Sequence, residues 1–68
     1  MKIDAFIEEK NEKKVVTLPR EATITDLLKE LKINPVTVVV SKNGSIVAED
    51  TLLKEKDRVD IFAVISGG

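Results

Sequence analysis

Few residues in this chain of 68 could carry out chemistry. Histidine and cysteine are both absent. The usual general base near neutral pH is therefore missing, and with it thiolate nucleophiles, disulfides and cysteine metal sites. Adjacent acids stand at Glu8-Glu9 and Glu49-Asp50. Neighbouring strand residues face opposite ways and so small a domain offers no deep cleft, so these read as solvated acids rather than acid/base pairs. Their spacing does not match a cation-binding loop. Asn43-Gly44-Ser45 fits the glycosylation acceptor pattern, but Asn-Gly is also a strong hairpin-turn signal, and in a cytoplasmic protein the turn is the reading. The remaining chemical candidate is the run Ile65-Ser66-Gly67-Gly68.

A terminal carboxylate is a poor electrophile and reacts only once activated, most simply by transfer to AMP with ATP as the source. That step requires the chain end to thread into another protein's nucleotide pocket. Side chains would block a narrow channel, whereas glycine has no Cβ and reaches backbone angles closed to other residues. An adenylated carboxyl can accept sulfur to become a thiocarboxylate, or be attacked by an amine. Gly68 would then be the reacting residue and Gly67 the threading residue. Two glycines alone also fit an ordinary frayed terminus. Here they directly follow the last expected strand, which divides the chain into a folded domain over 1–66 and a flexible tail at 67–68.

A single small domain must present that tail. Ile3, Ala5 and Ile7 alternate as one face of a strand over residues 2 to 7. Glu8 to Lys13 reads as a loop, and Lys14 to Leu18 as a second strand with Val16 and Leu18 inward, closing a hairpin. Thr23 and Asp26 have capping-box spacing, and Ile24, Leu27, Leu28 and Leu31 make one helical stripe. The helix should stop near Lys32 ahead of Pro35, so Lys32 or Ile33 must handle the exit without glycine. Thr37 to Ser41 is β-branched and reads as a central strand, Asn43-Gly44 as a turn, and Ile46 to Ala48 as a short strand. Leu52 and Leu53 are expected to pin a connecting segment to the core, and Arg58 to Ile65 alternates as a final strand. The order predicts an α+β fold: a mixed sheet of four to five strands with one main helix on one face and the first and last strands together at the centre.

The alternation leaves exceptions. With Val59, Ile61 and Ala63 inward, Phe62 and Val64 point to the face the helix does not cover. Val39 and Phe6 point the same way by the same rule. Scattered apolar residues are normal on any surface, but a group on one face marks partner docking. Phe62 and Val64 lead toward the tail, so a protein held there also holds the chain end.

Composition narrows the partners. The net charge is −1 and the pI about 5.4, with only two aromatic residues, both phenylalanine. A nucleic-acid binder needs a basic excess and stacking aromatics, which excludes nucleic acid and disfavours the reading as an RNA-associated interaction module without tail chemistry. No apolar run is long enough for a signal peptide or membrane span, so no membrane partner is expected. Small secreted domains lean on disulfides, so the cysteine-free chain is expected in the cytoplasm.

Over nearly its whole length the sequence resembles the ThiS/MoaD family of ubiquitin-like sulfur carriers and the related small archaeal modifier proteins. The carriers of the resemblance are Thr23-Ile24-Thr25-Asp26-Leu27-Leu28, Ile33-Asn34-Pro35, and Val38-Val39-Val40 running to Asn43-Gly44. Asp50-Thr51-Leu52-Leu53, Asp57-Arg58-Val59-Asp60-Ile61 and Ser66-Gly67-Gly68 complete them. The resemblance implies a β-grasp fold and a protein that is not itself an enzyme. It implies adenylation of Gly68 by an E1-like partner using ATP, conversion to a thiocarboxylate, and delivery of sulfur to a synthase in thiamine, molybdopterin or related biosynthesis. No bound cofactor is implied. Phe62 and Val64 match positions where the family meets its activating enzyme. The rival within the resemblance is a protein modifier joined through Gly68 to lysines of target proteins. Many members carry glycine before the aspartate that opens the last strand, where this chain has Lys56 before Asp57. The chain is also shorter than most molybdopterin-type carriers, which leans the expectation toward a thiamine-type or generalised carrier.

Overall fold

The computed structural model describes residues 1–64; Ile65 to Gly68, with the tail expectation that rests on them, lie outside the described residues. Strand β1 (Lys2–Ile7) and strand β2 (Glu12–Thr17) form an antiparallel hairpin closed by a 3-10 turn at Glu8–Lys10 and a left-handed Asn11. Helix α1 (Ile24–Glu30) follows. A 3-10 turn at Pro35–Thr37 leads into β3 (Val38–Lys42), β4 (Ser45–Val47) and finally β5 (Arg58–Ala63). The five strands make one mixed sheet in the order β2-β1-β5-β3-β4, with β1 and β5 parallel and every other pair antiparallel.

The pleat explains the core. Ile3, Ala5 and Ile7 of β1, Val59 and Ile61 of β5, Val40 of β3 and Val16 of β2 fall on one face and are buried there. Ile24, Leu27 and Leu28 of α1 close over them, with Leu18, Ala22 and Leu53 filling the margins. Each large apolar side chain so buried contributes about 1.5–3 kcal/mol relative to exposure.

Both helix ends follow from local chemistry. The Thr23 hydroxyl accepts from the Asp26 N–H and the Asp26 carboxylate accepts from the Thr23 N–H at 2.9 Å, a complete capping box. The first-turn N–H groups of Ile24 and Thr25 donate to the carbonyls of Thr51 and Glu49 at 3.0 and 2.9 Å, so the segment before Leu53 serves as a clamp for the helix start. At the other end Ile33 N–H reaches Leu28 C=O at 2.9 Å and Lys32 N–H reaches Lys29 C=O at 3.1 Å, with Lys32 at φ 60°. That is a Schellman ending built on lysine in place of glycine.

Several expectations need correction. β2 starts at Glu12, because pairing with β1 continues to Ile7↔Glu12 and draws residues read as loop into the ladder. β3 is not central: β5 holds the middle and β3 lies between it and the edge strand β4. Ala63 is exposed rather than inward, since β1 ends beside Ile61 and leaves no strand residue beside it on that side. Of the two leucines expected to pin the connection, Leu53 is buried but Leu52 is exposed, because its backbone forms an isolated bridge to Thr23 that turns the side chain out. Among the described residues no helix is long and apolar enough to cross a membrane.

Candidate functional site: the uncovered sheet face and its lead to the chain end

α1 covers one face of the sheet. The other face is set by the register. Phe62 of β5 lies directly across from Val39 of β3. Val64 carries the β3–β5 ladder one step further, its N–H donating to Thr37 C=O at 2.9 Å. Phe6 of β1 sits beside Asp60, one alternate position before Phe62, and so is its diagonal neighbour. Phe62, Val39 and Val64 are all exposed, with relative exposures of 38%, 38% and 46%. The register therefore brings together the four residues that alternation had put on this face. Phe6 differs in degree: it is half-buried, flanked by Lys13 on β2 and Asp60 on β5, because β1 is an interior strand.

Ile46 and Val15 extend this face and were not singled out from the sequence. Ile46 pairs with Ser41 on β4 and Val15 with Asp4 on β2, and both are well exposed. The signal was present in each case: Ile46 follows an Asn-Gly turn whose register is fixed, and Val15 adjoins the inward Val16.

The start of β5 is held by a buried carboxylate. Asp57 accepts from the Lys54 N–H at 2.7 Å and from Asn43 Nδ2 at 3.0 Å, with Lys42 Nζ at 3.9 Å. Asn43 in turn accepts the Arg58 N–H through Oδ1 at 3.0 Å and donates its own N–H to Arg58 C=O at 2.8 Å. The Asn43-Gly44 turn, with φ of 50° and 90°, is thereby tied to the base of the strand that carries Phe62. Lys56, immediately before Asp57, has φ 67°. This is the conformation that favours glycine. The sequence placed Asp57 at the opening of the last strand, among the residues that carry the family resemblance, but gave no sign of its role as a buttress.

At the start of β1, Glu55 Oε2 accepts the Lys2 N–H at 2.6 Å. That backbone donor, opposed by desolvation and helped by the charge of the chain's amino end, holds the carboxyl below the ordinary glutamate range. Gly67 and Gly68 lie outside the described residues. Among the described residues no group of three or more metal-ligating side chains converges.

A five-stranded mixed sheet of order 2-1-5-3-4 with one helix on one face is the ubiquitin-like β-grasp fold. The chain belongs to the ThiS family, whose model matches residues 1–68. Solved structures share the fold at low identity. SAMP1 of Haloferax volcanii superposes with a TM-score of 0.78 at 19% identity, covering 100% of both chains. The thiamine biosynthesis protein ThiS of Geobacter metallireducens gives 0.65 at 23%, covering 96% of this chain and 99% of its own. A ubiquitin-like protein of the hyperthermophilic archaeon Caldiarchaeum subterraneum gives 0.65 at 16%, covering 98% and 100%. No protein of curated function matches the sequence significantly.

Proposed function

We propose that this protein is a sulfur carrier. Gly68 is adenylated by an E1-like enzyme using ATP, the adenylate is displaced by sulfur to give a C-terminal thiocarboxylate with release of AMP, and a synthase takes the sulfur. The protein is the co-substrate of these enzymes and performs no catalysis itself. The observation that carries the reading is the match of the ThiS family model to residues 1–68, which includes Gly67-Gly68. The exposed apolar group of Phe62, Val39 and Val64 at the end of β5 supports it, because a partner seated there also holds the segment that follows. Phe6 borders the same surface. Burying such a group on a partner contributes roughly 25 cal/mol per Å² of apolar surface covered.

The test is ATP–pyrophosphate exchange with a ThiS-type adenylating enzyme from the same cells. Exchange that depends on the intact chain and stops on deletion of Gly67-Gly68 supports the reading. Exchange that survives the deletion overturns it. Recovery of Gly68 in isopeptide linkage to lysines of other proteins would assign the activated carboxyl to protein modification.

A further inference from the structure

The uncovered face is not uniformly apolar. From Phe6 toward the start of β5 it holds a hollow of about 220 Å³ between β2, β1 and β5, lined by Asp4, Phe6, Lys13 and Arg58. Arg58 lies about 13 Å from Phe62 along β5, at 3.3 Å per residue. The charges there are layered. Asp4 is half-buried beside Arg58 in the register, and the Asp60 side chain is only 17% exposed. Arg58 engages Asp60 through Nε at 3.5 Å, yet 68% of its side chain stays in solvent. Lys13 is exposed, and among the described residues it has no ion-pair partner. The acids form the floor and the cations project. A body approaching this end of the face meets positive charge, on a protein whose net charge is −1.

We propose that this hollow receives an acidic side chain of the activating enzyme, held between Lys13 and Arg58 above the Phe6 ring. This deepens the function proposed above and rests on it. The apolar group around Phe62 attracts a complementary surface without direction. A carboxylate fixed on the far side supplies the direction, and orients β5 so that its end points into the nucleotide pocket. Guanidinium geometry suits a carboxylate, and the hollow has room for one. A nucleotide phosphate fits less well, because the Asp4 and Asp60 carboxylates on the floor repel a multiply charged anion more than a single carboxylate. Charges at the rim of an interface act mainly on association rate and its salt dependence.

The experiment compares wild type with the double variant Lys13→Gln/Arg58→Gln in adenylation by the enzyme, at low salt and at about 1 M salt, where the screening length falls to about 3 Å. Lys14→Gln/Lys29→Gln is the control, since Lys14 pairs with the inward Ala5 and Lys29 lies on the helix that covers that side of the sheet. Thermal melts establish that all three proteins fold. The expected result is a KM raised about tenfold at low salt, the lower end of what electrostatic steering adds to association. kcat stays unchanged, the difference vanishes at high salt, and the control variant behaves as wild type. A KM equal to wild type, or one raised equally at both salt concentrations, overturns the inference while wild-type adenylation leaves the carrier reading intact. Amide shifts at Lys13 and Arg58 on titration with ATP alone would replace the protein carboxylate by a nucleotide. Failure of wild type to be adenylated at all removes the reading on which the inference stands.

Discussion

Asp57→Ala tests whether the buried carboxylate at the base of β5 holds the sheet together. The side chain accepts two hydrogen bonds, from the Lys54 N–H and from Asn43 Nδ2, at 2.7 and 3.0 Å. Bonds to a charged group contribute about 1.5–3 kcal/mol each, and removing the acceptor leaves both donors to find water at a partly buried position. The loss is therefore about 3–6 kcal/mol. At about 0.05–0.15 kcal/mol per residue, a domain of this length has about 3–10 kcal/mol in all. The substitution removes a large part of it. With an m-value of about 1 kcal/mol/M, the urea midpoint should fall by roughly 3 M, or the variant should be unfolded before urea is added. Asp57→Asn keeps one acceptor but turns an NH2 group toward a donor, so it should fall between the two. Equilibrium urea unfolding followed by circular dichroism is the assay. A midpoint for Asp57→Ala within about 0.5 M of wild type would show that the turn and β5 are held without this carboxylate.

Three other substitutions probe separate links. Lys56→Gly relieves a left-handed lysine at φ 67°; the relief of about 1–2 kcal/mol exceeds the added unfolded-chain entropy, and the melting temperature should rise by about 4 °C, whereas a fall would mean that Lys56 makes a contact worth more than the strain. Phe62→Asp should weaken binding to the activating enzyme by roughly thirty-fold or more, as expected for an aromatic anchor, with little change in thermal unfolding; a variant that does not fold would place Phe62 in the core instead. Glu55→Gln addresses pH. The Lys2 N–H lowers the Glu55 pKa in the folded state, so its contribution is present above the ordinary glutamate range and is lost as pH falls through the lowered value. The wild-type advantage over Glu55→Gln in melting temperature should therefore shrink toward acid pH, and a gap that stays constant with pH would remove the carboxylate as its cause.

Much of this architecture was legible because local and long-range signals agree. Thr23 and Asp26 announce the helix start and form the capping box there. Asn43-Gly44 announces the turn and adopts it. The alternation of Ile3, Ala5 and Ile7 against Val59 and Ile61 places β1 beside β5, and with them Phe6 and Phe62 on the far face. What the sequence hid depends on neighbours rather than on the residues themselves. Glu12 and Lys13 have no strand pattern of their own and are extended by pairing with β1. Ala63 fits the alternation but lies past the end of β1, and among the described residues it stays exposed. Leu52 looks as apolar as Leu53, and only its bridge to Thr23 decides that it faces out. The role of Asp57 was the largest omission, because its worth lies in two donors from separate segments that converge only in the folded state.

The central claim is that Gly68 carries sulfur. It is tested most directly by intact-protein mass spectrometry on the protein isolated from its own cells, with fragmentation to locate any change. The account predicts a fraction of molecules in which one oxygen of the Gly68 carboxylate is replaced by sulfur, lost on treatment with a thiol-alkylating reagent that caps it. An unmodified carboxylate in every molecule, under conditions where the cells are consuming sulfur through this route, or Gly68 found only in isopeptide bonds to other proteins, would contradict it.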